Sequence, residues 1–294
     1  MKVAGFSFIR NAIKYDYPVV EAITSVLPLC DEFVIAFGES EDETLALLKS
    51  IPSSKIRIIY TTWDDNLREG GKVLAQETDK ALAAISADVD WAFYIQGDEV
   101  LHERYLPVVK EAMTNYLTDE KVEGLLFKYL HFYGSYNYFG NSRRWYRREI
   151  RVIRNTGNVY AYRDAQGFRK KENKKLNVKL IDAYIYHYGW VKSLEKQRSK
   201  VGYFARFWHS EEQVPDAGAV DRARSFDYAK HIDSLAVFEE THPMVMEDRI
   251  MKSDQSFTFD TRQRRYSLRV RLSTFVETIT GWRAGEYRNY KIIK

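Results

Sequence analysis

The chain has 294 residues, of which 45% are hydrophobic and 29% charged, and its formal net charge is +4. This composition is typical of a globular protein with one large α/β domain, and the small charge argues against a nucleic-acid partner. The single cysteine, Cys30, excludes an internal disulfide framework and indicates a reducing compartment. No apolar run reaches 18 residues, and the start at Met1 shows no signal-peptide pattern. We therefore expect a cytoplasmic protein.

Strand-like and helix-like patterns alternate through the first 116 residues. Strands are predicted at 2–9, 32–37, 55–60 and from Trp91 onward. Helices are predicted at 18–27, 44–50, 72–85 and 103–116. This alternation is typical of βαβ units with a largely parallel sheet and right-handed crossovers.

The pattern changes after residue 120. Short strands are predicted at 124–132, 151–153 and 183–187, separated by polar and aromatic loops, and helices at 191–210, 221–238 and 268–279. We predict one α/β domain over 1–190, with a nucleotide-binding half at 1–100 and an acceptor half at 101–190. A helical C-terminal region then covers 191–294.

The fourth strand ends in two adjacent carboxylates, Asp98 and Glu99. Open α/β sheets bind ligands at the carboxyl ends of their strands, and carboxylates hold Mg²⁺ or Mn²⁺ together with substrate phosphates. Asp98 is therefore a candidate metal ligand on a nucleotide diphosphate. The alternative is a solvated turn in which Glu99 favours the start of the next helix.

Four segments in sequence order resemble family 2 glycosyltransferases of the GT-A fold. The first strand ends in Phe8-Ile9-Arg10-Asn11, like the family's loop over the nucleotide, and Ser40-Glu41-Asp42-Glu43-Thr44 resembles its S-x-D-x-T turn. The segment from Trp91 to Glu99 resembles the strand that ends in the D-x-D metal motif, here Gln96-Gly97-Asp98. His187-Tyr188-Gly189-Trp190 resembles the late histidine of the family's metal site.

The resemblance implies a GT-A type α/β fold and a set of site residues. Asp98 and His187 would bind the metal, with Mn²⁺ expected before Mg²⁺ because imidazole suits Mn²⁺ better. Glu99 would orient a bound water or a substrate hydroxyl beside the metal. Donor contacts are expected at Arg10, Asn11, Gln96 and Gly97.

A second candidate for donor binding is the loop that precedes the third predicted helix. Gly70 and Gly71 would let the backbone approach an anion, and Arg68 and Lys72 could pair with it. The spacing is not that of a P-loop. The alternative is a polar turn.

Residues 143–179 form the most basic segment, with thirteen Lys and Arg against three acidic residues. With the aromatic residues that precede it, this segment predicts an acceptor carrying phosphate or carboxylate, although charge runs are often only solvated. Asp164 lies within it, and the family resemblance places the catalytic base in this interval. Glu123 and Asp182 share the interval, so the choice of Asp164 remains a hypothesis.

The last predicted helix carries one apolar stripe at Leu268, Leu272, Phe275, Val276 and Ile279, flanked by arginines. Such a stripe usually docks on its own domain. A basic amphipathic helix can also lie on an anionic membrane.

These features together predict a metal-assisted inverting glycosyltransferase. It would transfer a sugar from a nucleotide-diphosphate donor to a glycan or lipid-linked acceptor, as in polysaccharide biosynthesis. Two alternatives remain: a nucleotidyltransferase on a similar scaffold, and a non-catalytic glycan- or nucleotide-binding protein.

Overall fold

The computed structural model describes residues 1–67, 69–208 and 216–294. Its first half is a parallel unit with strand order β3-β2-β1-β4. The strands are β1 (Val3–Ile9), β2 (Glu32–Gly38), β3 (Ile56–Thr61) and β4 (Trp91–Tyr94). They are connected by α1 (Val19–Val26), α2 (Thr44–Lys49) and α3 (Lys72–Ala83). Strands β1, β2 and β4 are almost wholly buried, as expected where helices cover both faces of a parallel sheet.

The second half continues the same sheet in the order β4-β8-β6-β11-β10-β9. Its strands are β5 (Glu99–Leu101), β6 (Gly124–Tyr133), β7 (Ser135–Gly140), β8 (Arg148–Arg154), β9 (Val159–Tyr162), β10 (Gly167–Lys170) and β11 (Lys174–Trp190), with α4 (Leu106–Asn115) before β6. Strand β8 is antiparallel to β4 and β6, whereas β6 and β11 are parallel. The sheet is therefore mixed.

The remaining elements are α5 (Leu194–Trp208), α6 (Asp216–Ser225), β12 (Leu235–Val237), α7 (Glu247–Met251), α8 (Leu268–Thr280) and β13 (Tyr290–Ile292). The prediction of one helix over 221–238 is wrong beyond Ser225. Phe226 and Leu235 instead enter a buried aromatic cluster, and Leu235 pairs with Gly140 in a strand. The C-terminal region thus contributes β12 and β13 as well as helices, and the boundary at residue 190 stays a prediction.

Two apolar cores lie on opposite faces of the sheet. One packs α1 and α4 against Phe33, Phe93 and Phe127, and the other packs α3 against Phe6 and Tyr94. The predicted α/β class, a mixed sheet flanked by helices, is confirmed. None of the helices in the described ranges is long and apolar enough to cross a membrane.

Candidate active site at the carboxyl ends of the parallel strands

The site is organised by the turn that follows β4. The predicted fourth strand stops at Tyr94, and Glu99 begins a separate strand, β5, antiparallel to β11. Between them, Gln96, Gly97 and Asp98 line a cavity of about 440 Å³. Much of its wall is aromatic and comes from Tyr15, Tyr17, Trp63, Trp145, Trp190 and Tyr203. The cavity therefore lies where the ends of open parallel strands bind ligands.

Strand register brings His187 to Asp98. His187 on β11 is paired with Glu99 on one side and with His131 of β6 on the other. The backbone N–H of Tyr188 donates to the Asp98 carbonyl at 2.8 Å. As a result, His187 Nε2 lies 3.7 Å from Asp98 Oδ2. The two predicted metal ligands are neighbours.

His131 fixes which nitrogen of His187 is free. His131 Nε2 lies 2.9 Å from the Tyr146 carbonyl, which can only accept, so Nε2 carries the proton. His131 Nδ1 is then an acceptor, and the N–H at His187 Nδ1 donates a hydrogen bond to it at 3.3 Å. This leaves the lone pair of His187 Nε2 directed toward Asp98. Burial is the main cause that lowers the pKa of His187, which favours the neutral imidazole needed for metal binding.

Sequence reasoning missed Lys200. Its ammonium group, on α5, donates to Asp98 Oδ2 at 3.2 Å and to the Gly189 carbonyl at 3.1 Å. Burial raises the pKa of Asp98, but nearby cationic groups, Lys200 foremost, outweigh burial and hold that pKa below its usual range. Asp98 is therefore a carboxylate at neutral pH. No sequence signal links Lys200 to Asp98, because the two residues are 102 positions apart.

Gly189 leaves the room that this arrangement needs. A Cβ atom at position 189 would lie 2.5 Å from Asp98 Oδ2 and 2.8 Å from His187 Nε2. Both distances are well inside van der Waals contact, and both atoms belong to the functional pair. Only glycine fits between them.

Asp98 Oδ2 and His187 Nε2 are two candidate ligands for a metal. Within the described ranges, no group of three or more His, Cys, Asp and Glu could hold an ion. Hard cations often take only one or two protein ligands and complete their coordination with substrate phosphates and water. An ionised carboxylate beside a neutral imidazole therefore fits Mn²⁺ or Mg²⁺ held jointly with a diphosphate.

Glu99 faces the core instead of the cavity. Its carboxylate is fully buried and accepts two hydrogen bonds from Arg151, at 2.7 and 2.8 Å, and one from the Tyr129 hydroxyl at 2.8 Å. The Gln96 N–H also donates to it, at 3.2 Å. Glu99 thus anchors the turn that carries Asp98. It does not line the cavity, so any orienting role is exerted through the backbone of the turn.

Asp164 lines the same cavity as Asp98. Its neighbours Arg163 and Ala165 both have positive φ angles, 58° and 60°, which are strained for residues with a Cβ. The Asp164 Cβ is also packed against Gly71, where an added Cβ would lie only 2.6 Å away. The Gln96 amide donates to the Ala165 carbonyl at 3.4 Å and so links this loop to the metal turn.

The ionisation of Asp164 differs from expectation. A carboxylate among cations ordinarily ionises readily, but burial raises the pKa of Asp164 above the usual value. The backbone N–H groups around it and the charges of Arg163 and Arg151 only partly oppose this effect. A raised pKa makes Asp164 a stronger proton acceptor when it is ionised.

The other two carboxylates of that interval lie elsewhere. Glu123 binds Lys170 and accepts from the Asn177 N–H at 2.7 Å. Asp182 is 83% exposed and pairs with Lys128 at 2.6 Å. Neither lines the cavity, which leaves Asp164 as the only candidate base among the three.

The structure places Arg10 in the cavity wall but leaves Asn11, the other donor-binding residue predicted after the first strand, outside it. Arg10 lines the cavity, stacks over Trp63 at 5.1 Å and pairs with Asp65 at 2.7 Å. Asn11 is buried outside the cavity, with φ 54°, and its side-chain oxygen accepts from the Glu41 N–H at 2.8 Å.

The segment that resembles the S-x-D-x-T turn holds the loop after β1 in place. Ser40 Oγ accepts from the Asn11 N–H, Thr44 Oγ1 from the Ala12 N–H and Asp42 from the Lys14 N–H, at 2.7 to 3.0 Å.

The predicted anion loop is not part of the cavity as far as it is described. The Lys72 ammonium pairs with Glu69 at 2.6 Å, and the Gly71 N–H donates to the Phe207 carbonyl at 2.8 Å. Arg68 lies outside the described residues. Gly71 serves a different purpose: its φ of 73° starts α3 and lets Asp164 approach.

A second cavity of about 490 Å³ adjoins the first. The two share Arg144, Trp145, Tyr146 and Gln166 in their walls. Among the described residues, six arginines line the second cavity: Arg143, Arg144, Arg147, Arg148, Arg163 and Arg283. We call it the arginine cavity. Sequence reasoning located most of these residues but not Arg283, which is folded back from the C-terminal region.

The rest of the predicted basic segment serves the fold. Arg151 pairs with Glu99, and Arg154 binds carbonyl groups that follow α4. Lys174 pairs with Glu172 on the surface. Only the first part of the segment, together with Arg163, forms a cationic cavity.

Similarity to known proteins is found at the level of structure. No family model matches the chain, and no curated protein matches it. Among solved structures, S. aureus TarS (1–349) is 14% identical with a TM-score of 0.38, over 76% of this chain and 72% of that one. A longer TarS structure is 16% identical with a TM-score of 0.39, over 78% of this chain and 45% of that one.

Glucosyl-3-phosphoglycerate synthase from Mycobacterium tuberculosis, in complex with Mn²⁺, UDP and glucosyl-3-phosphoglycerate, is 20% identical. Its TM-score is 0.30, over 45% of each chain. TarS has also been crystallised with UDP. All of these TM-scores are below 0.5, so the structural likeness is partial.

Proposed function

We propose that this protein is an inverting glycosyltransferase that transfers a sugar from a nucleotide-diphosphate donor. One observation carries the proposal: Asp98, His187 and Asp164 face a single aromatic-walled cavity at the carboxyl ends of the parallel strands. Such a transfer requires a pair of ligands for one divalent cation and a separate carboxylate that acts as the base.

The donor diphosphate would lie beside Asp98. Asp98 Oδ2 and His187 Nε2 would hold Mn²⁺ or Mg²⁺, which when bound neutralises charge on the leaving diphosphate. Lys200 supplies a second positive charge, since its ammonium is already 3.2 Å from Asp98. Arg10, stacked on Trp63, is a third cation on this wall. Fixed cations aimed at a leaving group stabilise the charge that develops there.

Asp164 would take the proton from the acceptor hydroxyl. The strained loop holds its carboxyl at the cavity wall, and burial raises its pKa, which strengthens it as a base. The deprotonated oxygen then attacks the anomeric carbon on the face opposite the diphosphate. The C–O bond to the donor phosphate breaks, and the sugar is transferred with inversion.

The acceptor would approach through the arginine cavity. No carboxylate among the described residues forms an ion pair with Arg148 or Arg163, and Arg163 stacks over Tyr287 at 4.9 Å. An acceptor that bears phosphate or carboxylate suits such a wall. The exposed lysines of the β10–β11 hairpin, such as Lys174 and Lys175, lie outside both cavities.

A thermal-shift screen of nucleoside diphosphates and nucleotide sugars, with Mn²⁺ or with EDTA, tests the proposal. A donor at 100 times its dissociation constant should raise the free energy of unfolding by about 2.7 kcal/mol. Asp98→Ala should abolish the Mn²⁺-dependent part, whereas Asp182→Asn, on the surface, should not.

The released product separates the alternatives. Release of a nucleoside diphosphate supports the glycosyltransferase, and release of pyrophosphate indicates a nucleotidyltransferase. Donor binding with no product, across all acceptors supplied, would leave a binding protein and overturn the proposal.

A further inference from the structure

The apolar stripe of α8 does not dock on the rest of the chain. Leu268, Leu272, Phe275 and Ile279 are 82%, 67%, 62% and 66% exposed, and Trp282 just beyond the helix is 61% exposed. Together these five residues are the α8 stripe. Isolated exposed apolar side chains are common, but a contiguous row on one helix face marks an interaction surface.

The helix is held firmly from its opposite side. Glu277 forms ion pairs with Arg143 and with Arg147, and Arg143 also reaches the Ser273 carbonyl. Ser267 caps the amino end by accepting from the Val270 N–H, and Gly281 closes the carboxyl end with φ 67°. The stripe therefore lies on the side of α8 away from these contacts, and its exposure is not a consequence of fraying at the helix ends.

Charge is arranged around the stripe in a regular way. At about 100° per residue, the four apolar helical positions fall within an arc of about 60°, with Arg271 about 40° beyond one border and Arg269 about 60° beyond the other. Glu277, the one acidic residue of this helix, lies on the opposite side. Arg264 and Arg265 precede the helix and are also exposed. The surface is thus apolar at its centre and purely cationic at its edges.

We propose that α8 lies in the plane of an anionic lipid surface. The α8 stripe would enter the boundary between headgroups and acyl chains, with Trp282 at the interface, while Arg269 and Arg271 contact lipid phosphates. Pairing with a second copy is the weaker alternative. It would bring two sets of arginines together around the apolar centre without any acidic partner, and like charges repel.

Such docking would place the arginine cavity on the side of α8 that faces away from the lipid, about 10 Å (one helix diameter) above the surface. Arg143 lines that cavity and also binds Glu277 and the Ser273 carbonyl of α8, so the two features share a wall. If the proposed glycosyltransferase function holds, this position favours a lipid-linked acceptor whose phosphate enters the arginine cavity. The docking itself does not depend on that function.

Co-sedimentation of the full chain with vesicles tests the docking without any turnover. One set of vesicles contains phosphatidylcholine and phosphatidylglycerol in equal parts, and the other phosphatidylcholine alone. The wild type should bind the anionic set and lose affinity as salt rises. Arg269→Gln with Arg271→Gln should weaken binding about 30-fold, and Leu272→Ser with Phe275→Ser at least about 100-fold.

Two matched controls come from elsewhere on the surface. Met251→Ser removes an apolar side chain that is 75% exposed on α7, and Lys174→Gln with Lys175→Gln removes two exposed cations. Both variants should bind vesicles like the wild type. All variants should keep the wild-type melting temperature, because the altered side chains are exposed.

Three results would overturn the proposal. The first is absence of wild-type binding to anionic vesicles, and the second is equal binding by the stripe variants and the wild type. The third is a wild-type dimer in sedimentation velocity that Phe275→Ser converts to monomer, which would assign the stripe to a second copy. Donor binding in the thermal-shift screen is unaffected by any of these, so failure here and failure of the proposed function are distinguishable.

Discussion

Asp98 and Glu99 are adjacent in sequence but belong to two different regions, the cavity wall and the layer beneath it. Asp98 has partners at 3.2 and 3.7 Å and remains 13% exposed to the cavity. Glu99 is fully buried and has four hydrogen bonds that saturate both its oxygens. A carboxylate whose bonding is complete has no capacity left for a ligand. Incomplete bonding, more than burial or charge, is therefore what separates the candidate ligand Asp98 from its buried neighbour Glu99.

The division into cavity wall and buried layer recurs at the other side of the cavity, but the difference in bonding does not, because Glu149 Oε2 has no hydrogen-bond partner among the described residues. Asp164 lines the wall, whereas Glu149 is buried behind it and accepts from Gln166 at 2.8 Å. Variants of the wall should therefore change binding and turnover, and variants of the layer beneath should change stability.

The largest expected effect is at Glu99. Glu99→Gln leaves Arg151 charged, fully buried and partly unpaired, so the free energy of unfolding should fall by about 3–5 kcal/mol in urea denaturation. The double variant Glu99→Gln with Arg151→Met should lose less than the sum of the two single losses. Asp182→Asn, which breaks an exposed pair, is the control and should leave stability nearly unchanged. A small loss of unfolding free energy in Glu99→Gln would contradict the distinction between the cavity wall and the layer beneath it.

At the wall, Asp164→Asn should act on turnover. Its kcat should fall by about 10² to 10⁴, the range for loss of a general base, with donor affinity and melting temperature preserved. Steady-state kinetics on Asp164→Asn and Asp182→Asn provide the comparison. Near wild-type turnover in Asp164→Asn would remove it from the mechanism.

His131 sharpens the comparison because it sits between the two regions. His131→Phe keeps an aromatic ring of similar shape but removes the acceptor that holds the proton of His187 Nδ1. The affinity for donor in Mn²⁺ should fall about 10- to 100-fold, the usual effect of losing a partner behind a metal ligand. Calorimetry in EDTA should show no such difference. An equal loss in EDTA would mean that His131 acts on packing alone.

The smallest effect concerns Glu149. Burial, with Asp164 and Glu99 adding to it, raises the pKa of Glu149 to about 8. The protonated form is therefore favoured in the folded state, and Glu149→Gln should be close to neutral at pH 5. The wild type should lose stability relative to this variant as pH rises from about 4.5 toward 8, because the unfolded chain ionises Glu149 in this range while the folded protein keeps it protonated. If the stability of the wild type and that of Glu149→Gln change with pH in the same way, Glu149 is already ionised in the folded protein and the prediction is wrong.

The sequence predicts the residues proposed to bind the metal better than the residues that hold them in place. Strand ends are visible as apolar runs that stop at polar residues, which is how Asp98 was found, and the family resemblance then paired His187 with it. Lys200 and His131 could not be found in this way. Their contacts depend on where α5 crosses the sheet and on the register of β6 with β11, and neither leaves a local pattern.

Charge patterns were the least informative part of the sequence. The basic run from 143 to 179 looks uniform, yet Arg151 is a buried ion-pair partner while Arg163 lines a cavity. Which arginine meets a carboxylate depends on distant pairing, such as that of Arg147 with Glu286. The helix predicted at 221–238 failed for a related reason, since aromatic packing overrode local periodicity after Ser225.

The close fit around Gly189 has a consequence for evolution. Any side chain at this position would displace either the Asp98 carboxylate or the His187 imidazole, so the three positions are not free to vary independently. Descendants of this sequence that keep the aspartate and the histidine should also keep the glycine. Lineages that replace the glycine should be released from selection on the other two. Substitution at position 189 is therefore a simple marker for loss of the ancestral chemistry.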